Sequence, residues 1–136
     1  ERLAALTLQR LTEDGLGAGA EIVALPASDR PDAVFAANDM VAIGVLTQLL
    51  RHGIRVPEDV LVVGYHDSAI ARTTMPRLTS VRAPFERIVS ECLRLLASGP
   101  AGGAAETAAA PGGSVRAPRV MLAPQLIVRD SSVFRR

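Results

Sequence analysis

Several residue types are scarce in this sequence, and each scarcity excludes a class of protein. Among 136 residues there is no Trp, one Tyr, three Phe and a single Cys. One cysteine cannot form an internal disulfide framework, and no CxxC or HxxxH spacing indicates a metal site. We therefore predict neither a bound metal nor another cofactor.

Charge is also nearly balanced. The fifteen basic residues, all Arg, are dispersed along the chain, and the net charge is +1. A nucleic-acid-binding surface needs a basic stripe or patch, which is missing here. No apolar run is long enough to span a bilayer, and the first residues do not resemble a secretory leader. These features predict a cytoplasmic protein without membrane contact.

What is present is a strand-helix-strand pattern. The apolar run 33–37 ends at Asn38 and Asp39, and the apolar run 60–64 ends at Tyr65, His66 and Asp67. Between the two runs, residues 40–51 carry apolar side chains at helical spacing. Such units are parallel and right-handed, so both polar clusters emerge at the carboxyl edge, where open α/β sheets bind ligands. The pattern predicts a binding protein.

The remaining segments complete an α/β outline. The pattern predicts helices at 3–11 and 85–96, and strands at 21–25, 78–81 and 125–128. Residues 99–118 are rich in Ala, Gly and Pro, which predicts a linker. The predicted fold is a parallel sheet with helices on both faces.

Five segments follow one another along the chain: PDAVFAANDMVAIG at 31–44, GIRVPEDV at 53–60, VGY at 63–65, PRLTSV at 76–81 and LIVRDS at 126–131. In this order they resemble the effector-binding core of the LacI/GalR (lactose-repressor/galactose-repressor) transcription regulators. The resemblance covers nearly the whole chain outside the linker, and the ordered set is far more specific than any one motif.

The resemblance implies a bacterial regulator whose core has two lobes around a ligand cleft, as in type I periplasmic binding proteins. Residues 1–98 then form the second lobe, with a crossover helix at 85–98, and residues 119–136 form a returning strand and tail. Operator DNA would be contacted only through an N-terminal domain outside this chain. Family members also place a helix between the strand matching 21–25 and the segment at 31–39, and the sequence predicts that this helix is missing.

The resemblance implies effector contacts at Arg2 and Asn38. A guanidinium binds adjacent hydroxyls or a carboxylate in fixed geometry, and an amide both donates and accepts. Asn and Asp are also favoured helix N-caps. We expect Asp39 to be the cap and Asn38 the ligand contact.

His66 and Asp67 are the other two residues to which the resemblance gives an effector-binding role. The family usually carries an acid where His66 stands, and an imidazole would tolerate an anionic ligand better than that acid would. A relaxed pocket is an equal alternative. Asp67 is open to two readings besides direct contact, a loop cap or a partner that orients His66.

No motif of a known catalytic class is present, so we predict that the chain is not an enzyme. Cys92 could pair with His66, but its place on the apolar side of a predicted helix favours a buried, inert thiol.

The resemblance also implies a homodimer, since family regulators dimerise to match two operator half-sites. The apolar stripe of the 40–51 helix is wider than one sheet face needs, and Ile43, Leu46 and Leu50 lie along one side of it. We predict these three as dimer contacts, the alternative being that the stripe is buried within one chain.

Three functions stay open at this point. The first is the effector-sensing and dimerising part of a LacI-type regulator that binds a sugar or nucleoside-like molecule. The second is a stand-alone or periplasmic-type sugar-binding module with no role at DNA. The third is a decayed regulator fragment.

Overall fold

A computed structural model describes the backbone of residues 5–7 and 98 and the whole of residues 15–97 and 119–134. The chain divides into two units, Glu1–Ala83 with Gln125–Arg136, and Pro84–Pro124. The strands are β1 (Ala5–Thr7), β2 (Ala33–Phe35), β3 (Leu61–Tyr65), β4 (Thr79–Arg82) and β5 (Gln125–Ile127), and the helices are α1 (Gly15–Ala24), α2 (Asp39–Arg51) and α3 (Phe85–Ser98).

The first unit is built on a five-stranded sheet in the order β1-β2-β3-β4-β5. The first four strands run parallel, with Val34 opposite Val62 and Gly64 opposite Ser80. The fifth strand is antiparallel to β4. The predicted α/β fold is confirmed, and the structure refines it, because the sheet is mixed and not wholly parallel.

The core of this unit lies between the sheet and α2. Val34 and Val62 point into it from adjacent strands, and Val45 and Leu49 meet them from the helix, all at 0% exposure. Alternation along β3 leaves every second side chain only half-buried, as expected for a strand with one face in the core. Burying one such Val or Leu side chain contributes about 1.5–3 kcal/mol.

Helix α1 packs closely on α2 through glycines. A Cβ atom built on Gly44 would lie 2.6 Å from the carbonyl carbon of Gly15, and one built on Gly19 would lie 2.7 Å from the Cβ of Gln48. Such distances are shorter than real contacts, so only glycine allows this helix spacing. Two glycines of α1 and one of α2 therefore set how near the helices lie.

The strand predicted at 21–25 is wrong, because residues 21–24 form the last turn of α1 and Leu25 directly follows the helix. A five-residue apolar run does not distinguish helix from strand. The helical signal lay in small residues instead, since the buried positions of α1 follow the helical spacing i, i+3, i+4, i+7: Gly15, Ala18, Gly19 and Ile22. Gly15 and Gly19 belong to the surface of α1 that packs on α2.

Two further expectations change with this correction. The helix predicted at 3–11 is contradicted at Ala5–Thr7, which is strand β1 paired with β2. The family helix predicted to be missing before the 31–39 segment is present, because α1 ends at Ala24, directly before the turn that leads into β2.

The predicted dimer contacts do not share one environment. Leu46 is 3% exposed and belongs to the core, so its placement on a dimer surface is wrong. Ile43 is half-buried and packs against the core, whereas Leu50 is 40% exposed. The stripe looked too wide from the sequence because α1 covers a second side of α2, which sequence spacing alone did not reveal.

The second unit carries the amphipathic helix α3. Phe85, Val89 and Leu93 are exposed on it, and so is Cys92, which corrects the expectation of a buried thiol. Residues 99–118, predicted as a linker, lie outside the described residues. Among the helices that the structure describes, none has the length and apolar character required to cross a membrane.

Candidate functional site

A cavity of about 400 Å³ opens at the carboxyl ends of β2 and β3. Its volume lies within the range of small-molecule sites. Apolar side chains form part of its wall, and two polar corners face it, one from each strand end. The lining residues are Asn38, Asp39, Met40, Val41, His66, Ser68 and Ile70.

Asn38 forms the first corner and begins α2. Its Oδ1 accepts a hydrogen bond of 2.9 Å from the backbone N–H of Val41, so Asn38 is the N-cap of the helix. The expected division of roles is therefore wrong, since the cap was assigned to Asp39. The cap uses the oxygen of the amide and leaves its NH₂ group as the donor that can pair with a ligand.

Asp39 has turned inward instead. It is 2% exposed, and its carboxylate accepts hydrogen bonds from Ser68 and Ser80. The Oδ2 atom lies 2.6 Å from the Ser68 backbone nitrogen and 2.7 Å from its Oγ, and Oδ1 lies 2.5 Å from Ser80 Oγ. Asp39 thus joins the start of α2 to the loop after β3 and to β4.

His66 forms the second corner, on a backbone with unusual geometry. Its φ is +102° and that of Asp67 is +51°, a region that residues other than glycine rarely adopt. The His66 ring is exposed, and it meets the ring of Tyr65 edge-on with centroids 5.1 Å apart. The left-handed turn follows the end of β3, and its residues His66 and Ser68 on either side of Asp67 line the cavity.

Asp67 lies beside the cavity, but its carboxylate is directed at arginines. Its side chain is fully buried and pairs with Arg129 and Arg82, and Arg72 lies 3.5 Å from Oδ2. Burial alone would raise the pKa of Asp67, but hydrogen bonds and charge from Arg129 and Arg82 outweigh it and hold the pKa below its ordinary value. Asp67 is therefore an ionised anchor at this corner.

The four predicted effector residues therefore differ in where they lie relative to the cavity. Asn38 and His66 line one cavity. Asp67 is next to them with both oxygens engaged by guanidinium groups. Arg2 lies outside the described residues.

Sequence reasoning missed the role of two serines. Ser68 lines the cavity, and Ser80 is fully buried where it links the N–H of Asp67 to the carboxylate of Asp39. Isolated serines carry no motif. The one available signal was a hydroxyl in the middle of a β-prone run, at a position whose neighbours suggested burial.

The cavity offers hydrogen-bonding groups and apolar surface together. The Asn38 amide and the His66 imidazole can pair with hydroxyls, whereas Met40, Val41 and Ile70 provide apolar contact. Within residues 15–97 and 119–134, no group of three His, Cys, Asp or Glu side chains could hold a metal ion. The arrangement suits a small polar molecule that also has apolar C–H surface.

Comparison with protein families and curated relatives gives a consistent result. A family model described as "Periplasmic binding protein-like domain" matches residues 4–132. The HTH-type transcriptional regulator CelR of Thermobifida fusca is 41% identical over 100 residues, which is 74% of this chain and 26% of CelR. The probable HTH-type transcriptional repressor ExuR of Bacillus subtilis is 40% identical over 76 residues, which is 56% of this chain and 22% of that protein.

Solved structures agree with these relatives. A complex of the transcriptional regulator CelR with cellobiose has a TM-score of 0.69 at 38% identity, covering 90% of this chain and 34% of that one. A LacI family regulator from Lactobacillus casei with bound sucrose has a TM-score of 0.66 at 29% identity, covering 87% of this chain and 39% of that one. The chain spans about a quarter of the length of the curated relatives it matches.

Proposed function

This chain belongs to the LacI/GalR family of transcription regulators, and we propose that it binds a sugar or nucleoside-like effector as part of the effector-binding core. The observation that carries the proposal is the pairing of Asn38 with His66. The two residues end adjacent parallel strands and line one cavity of about 400 Å³.

A sugar suits this cavity because of its chemistry. Each hydroxyl of a sugar both donates and accepts, and the ring also presents apolar C–H groups. The Asn38 NH₂ group and the His66 ring supply the polar partners, and Met40 and Ile70 supply apolar contact. Relatives solved with cellobiose and sucrose support the same ligand class.

We assign different tasks to the four predicted effector residues. Asn38 and His66 contact the effector directly. Asp67 serves the site through its ion pairs, which fix the backbone next to His66. Arg2 stays a proposed contact on the strength of the family resemblance alone.

Partners beyond the small molecule are also proposals. The matched relatives are named as transcriptional regulators, which supports a role without catalysis. Operator DNA would be recognised by a part of the regulator outside these 136 residues. A homodimer would use the exposed side of α2, where Leu50 is 40% exposed and Ile43 is half-buried. A cytoplasmic location follows from the proposed role at DNA.

Calorimetric titration of the chain with a panel of ligands tests the proposal. The panel comprises cellobiose, sucrose, glucose and a set of nucleosides, each also followed by NMR shifts of assigned amides. We expect at least one sugar to bind, with shifts concentrated at residues 38–41 and 66–70. Saturable binding of a nucleoside alone would narrow the effector to the nucleoside-like class, and binding of no ligand in the panel would count against the proposal. Shifts confined to other regions would exclude the cavity as the site.

A further inference from the structure

Three consecutive backbone N–H groups of the segment His66–Ser68, here called the cavity turn, are all held from outside the turn. His66 donates to the carbonyl of Val81 at 2.9 Å, and Asp67 donates to Ser80 Oγ at 2.9 Å. Ser68 donates to Asp39 Oδ2 at 2.6 Å. The left-handed backbone at His66 and Asp67 is therefore kept in place by β4, and the next residue, Ser68, is held by the first residue of α2.

Asp39 also contacts the cavity turn indirectly, through Ser80. Its Oδ1 accepts a hydrogen bond from the Ser80 hydroxyl, and the Ser80 Oγ itself accepts one from the N–H of Asp67. One carboxylate thus acts on Ser68 directly and on Asp67 through Ser80. A non-glycine residue with positive φ costs on the order of 1–3 kcal/mol, and it persists only where surrounding contacts determine it.

A glycine in β3 makes room for the Asp39 carboxylate. Gly64 faces it from β3, and a Cβ atom on Gly64 would collide with Asp39 Oδ1 and lie 3.1 Å from a methyl carbon of Leu78. Glycine weakens a strand interior, so its presence here is explained by the close approach of another group. The two sides of the cavity meet at this point, since Asp39 follows Asn38 and its carboxylate bonds the turn that carries His66.

We propose that Asp39 is a positioning residue that sets the distance and orientation of His66 relative to Asn38. It acts through the cavity turn, and its own oxygens are occupied by Ser68 and Ser80. The consequence for ligand affinity rests on the proposed function of the cavity. The consequence for the position of His66 does not, and it can be measured without a ligand.

The first test is NMR of the full chain in the absence of ligand. Asp39→Asn retains the shape of the side chain and replaces the carboxylate that accepts hydrogen bonds from the Ser68 N–H and from the hydroxyls of Ser68 and Ser80. We expect the amide and imidazole signals of His66 to shift or broaden, whereas those of His52, at the far end of α2, stay in place. The chain has two histidines, so His52→Gln assigns the ring signals.

A matched control separates positioning from general stabilisation. Ser131 is also fully buried, and its Oγ donates to the Val62 carbonyl at 2.6 Å and accepts from the Thr79 N–H. Ser131→Ala should lower the melting temperature without moving the His66 signals. Unchanged His66 signals in Asp39→Asn, or equal changes in both variants, would overturn the proposal.

A second variant covers the case in which Asp39→Asn does not fold. Ser68→Ala removes one hydroxyl donor to Asp39 and keeps the backbone bond. We expect a smaller displacement of the same His66 signals in this variant. Ser68→Ala with His66 signals identical to those of the wild type would then reject the mechanism.

The binding experiment uses cellobiose, or the first sugar of the panel that binds the wild type. We expect Asp39→Asn to weaken binding about tenfold, as for one lost charge-assisted hydrogen bond, and by less than about twofold in a His66→Ala background. Equal losses in both backgrounds would show that Asp39 does not act through His66. Failure of the wild type to bind any sugar or nucleoside of the panel would count against the proposed function, and the NMR test would still decide the role of Asp39.

Discussion

Arg129 donates to the carboxylate of Asp67, which lies 62 residues earlier in the chain. The Arg129 side chain is 10% exposed and that of Asp67 is fully buried, so water contributes little to their solvation. The Arg129 Nη1 group also donates to the Leu78 carbonyl. One arginine that follows β5 therefore holds both the turn after β3 and the residue before β4.

Asp67→Asn should destabilise the protein at neutral pH by about 3 kcal/mol, because it leaves the buried Arg129 without its counter-ion. The folded-state pKa of Asp67 is lowered, so its contribution is complete above the unfolded value of about 3.9. It disappears as pH falls through the lower folded value. Urea unfolding of both proteins between pH 7 and pH 2.5 should show a constant difference above about pH 5 and a shrinking one below pH 4.

Asp59 provides the control for this prediction. It pairs with Arg55, and hydrogen bonds from Arg55 lower its pKa to about 2, but both side chains are substantially exposed. Exposed ion pairs contribute little to stability. Asp59→Asn should therefore leave urea unfolding at pH 7 almost unchanged. A loss equal to that of Asp67→Asn would contradict the argument from burial.

Asn38 combines two tasks that substitutions can separate. Asn38→Asp keeps an oxygen to cap α2 and removes the NH₂ donor, whereas Asn38→Ala removes both. We expect Asn38→Ala to cost about 1 kcal/mol of stability and Asn38→Asp almost none. Both should weaken sugar binding by about 1–3 kcal/mol, measured by calorimetry alongside thermal unfolding. Wild-type affinity in Asn38→Asp would remove this side chain from the ligand contacts.

Much of the fold followed from periodicity in the sequence. The runs that became β2, α2 and β3 are long or regular enough that alternation and helical spacing identified them. Periodicity did not identify the edge strand β1 or helix α1, because a short apolar run such as 21–25 is compatible with either a helix or a strand. The packing role of the α1 glycines is visible only in the structure, where α2 lies against them.

The candidate site was predicted in part for a similar reason. Sequence order placed Asn38 and His66 at the ends of parallel strands, and topology brings such ends together. It could not show that Asp39 points inward to Ser80, since that bond joins residues 41 positions apart. Nor could it show the arginines around Asp67, because they come from separate segments.

The α1–α2 contact predicts opposite effects for two glycine substitutions. Gly44→Ala should destabilise the protein by about 1–3 kcal/mol, because the added Cβ would lie 2.7 Å from Gly15 Cα. Gly17 lies on the exposed side of α1, where alanine improves helix propensity, so Gly17→Ala should stabilise by about 0.5–1 kcal/mol. Urea unfolding measures both. The same sign for the two variants would mean that helix packing is not the cause.

The proposed dimer predicts different outcomes for the same substitution at two leucines of α2, one exposed and one buried. Leu50 is 40% exposed and lies in a row with Ile43 at a spacing of seven, whereas Leu46 is 3% exposed. Leu50→Glu should therefore give a folded monomer, because a charge at a desolvated interface is costly and the core is untouched. Leu46→Glu should instead unfold the chain, because it places a charge in the core.

Light scattering and circular dichroism measured on the same samples decide this prediction. The wild type should scatter as a dimer, Leu50→Glu as a monomer with an unchanged helical spectrum, and Leu46→Glu should lose its spectrum. Arg51→Glu serves as the charge control, since Arg51 is exposed at the end of α2 and already carries a charge. A Leu50→Glu protein that stays dimeric would move the interface away from this side of α2, and a monomeric wild type would remove the dimer from the proposed function of this chain.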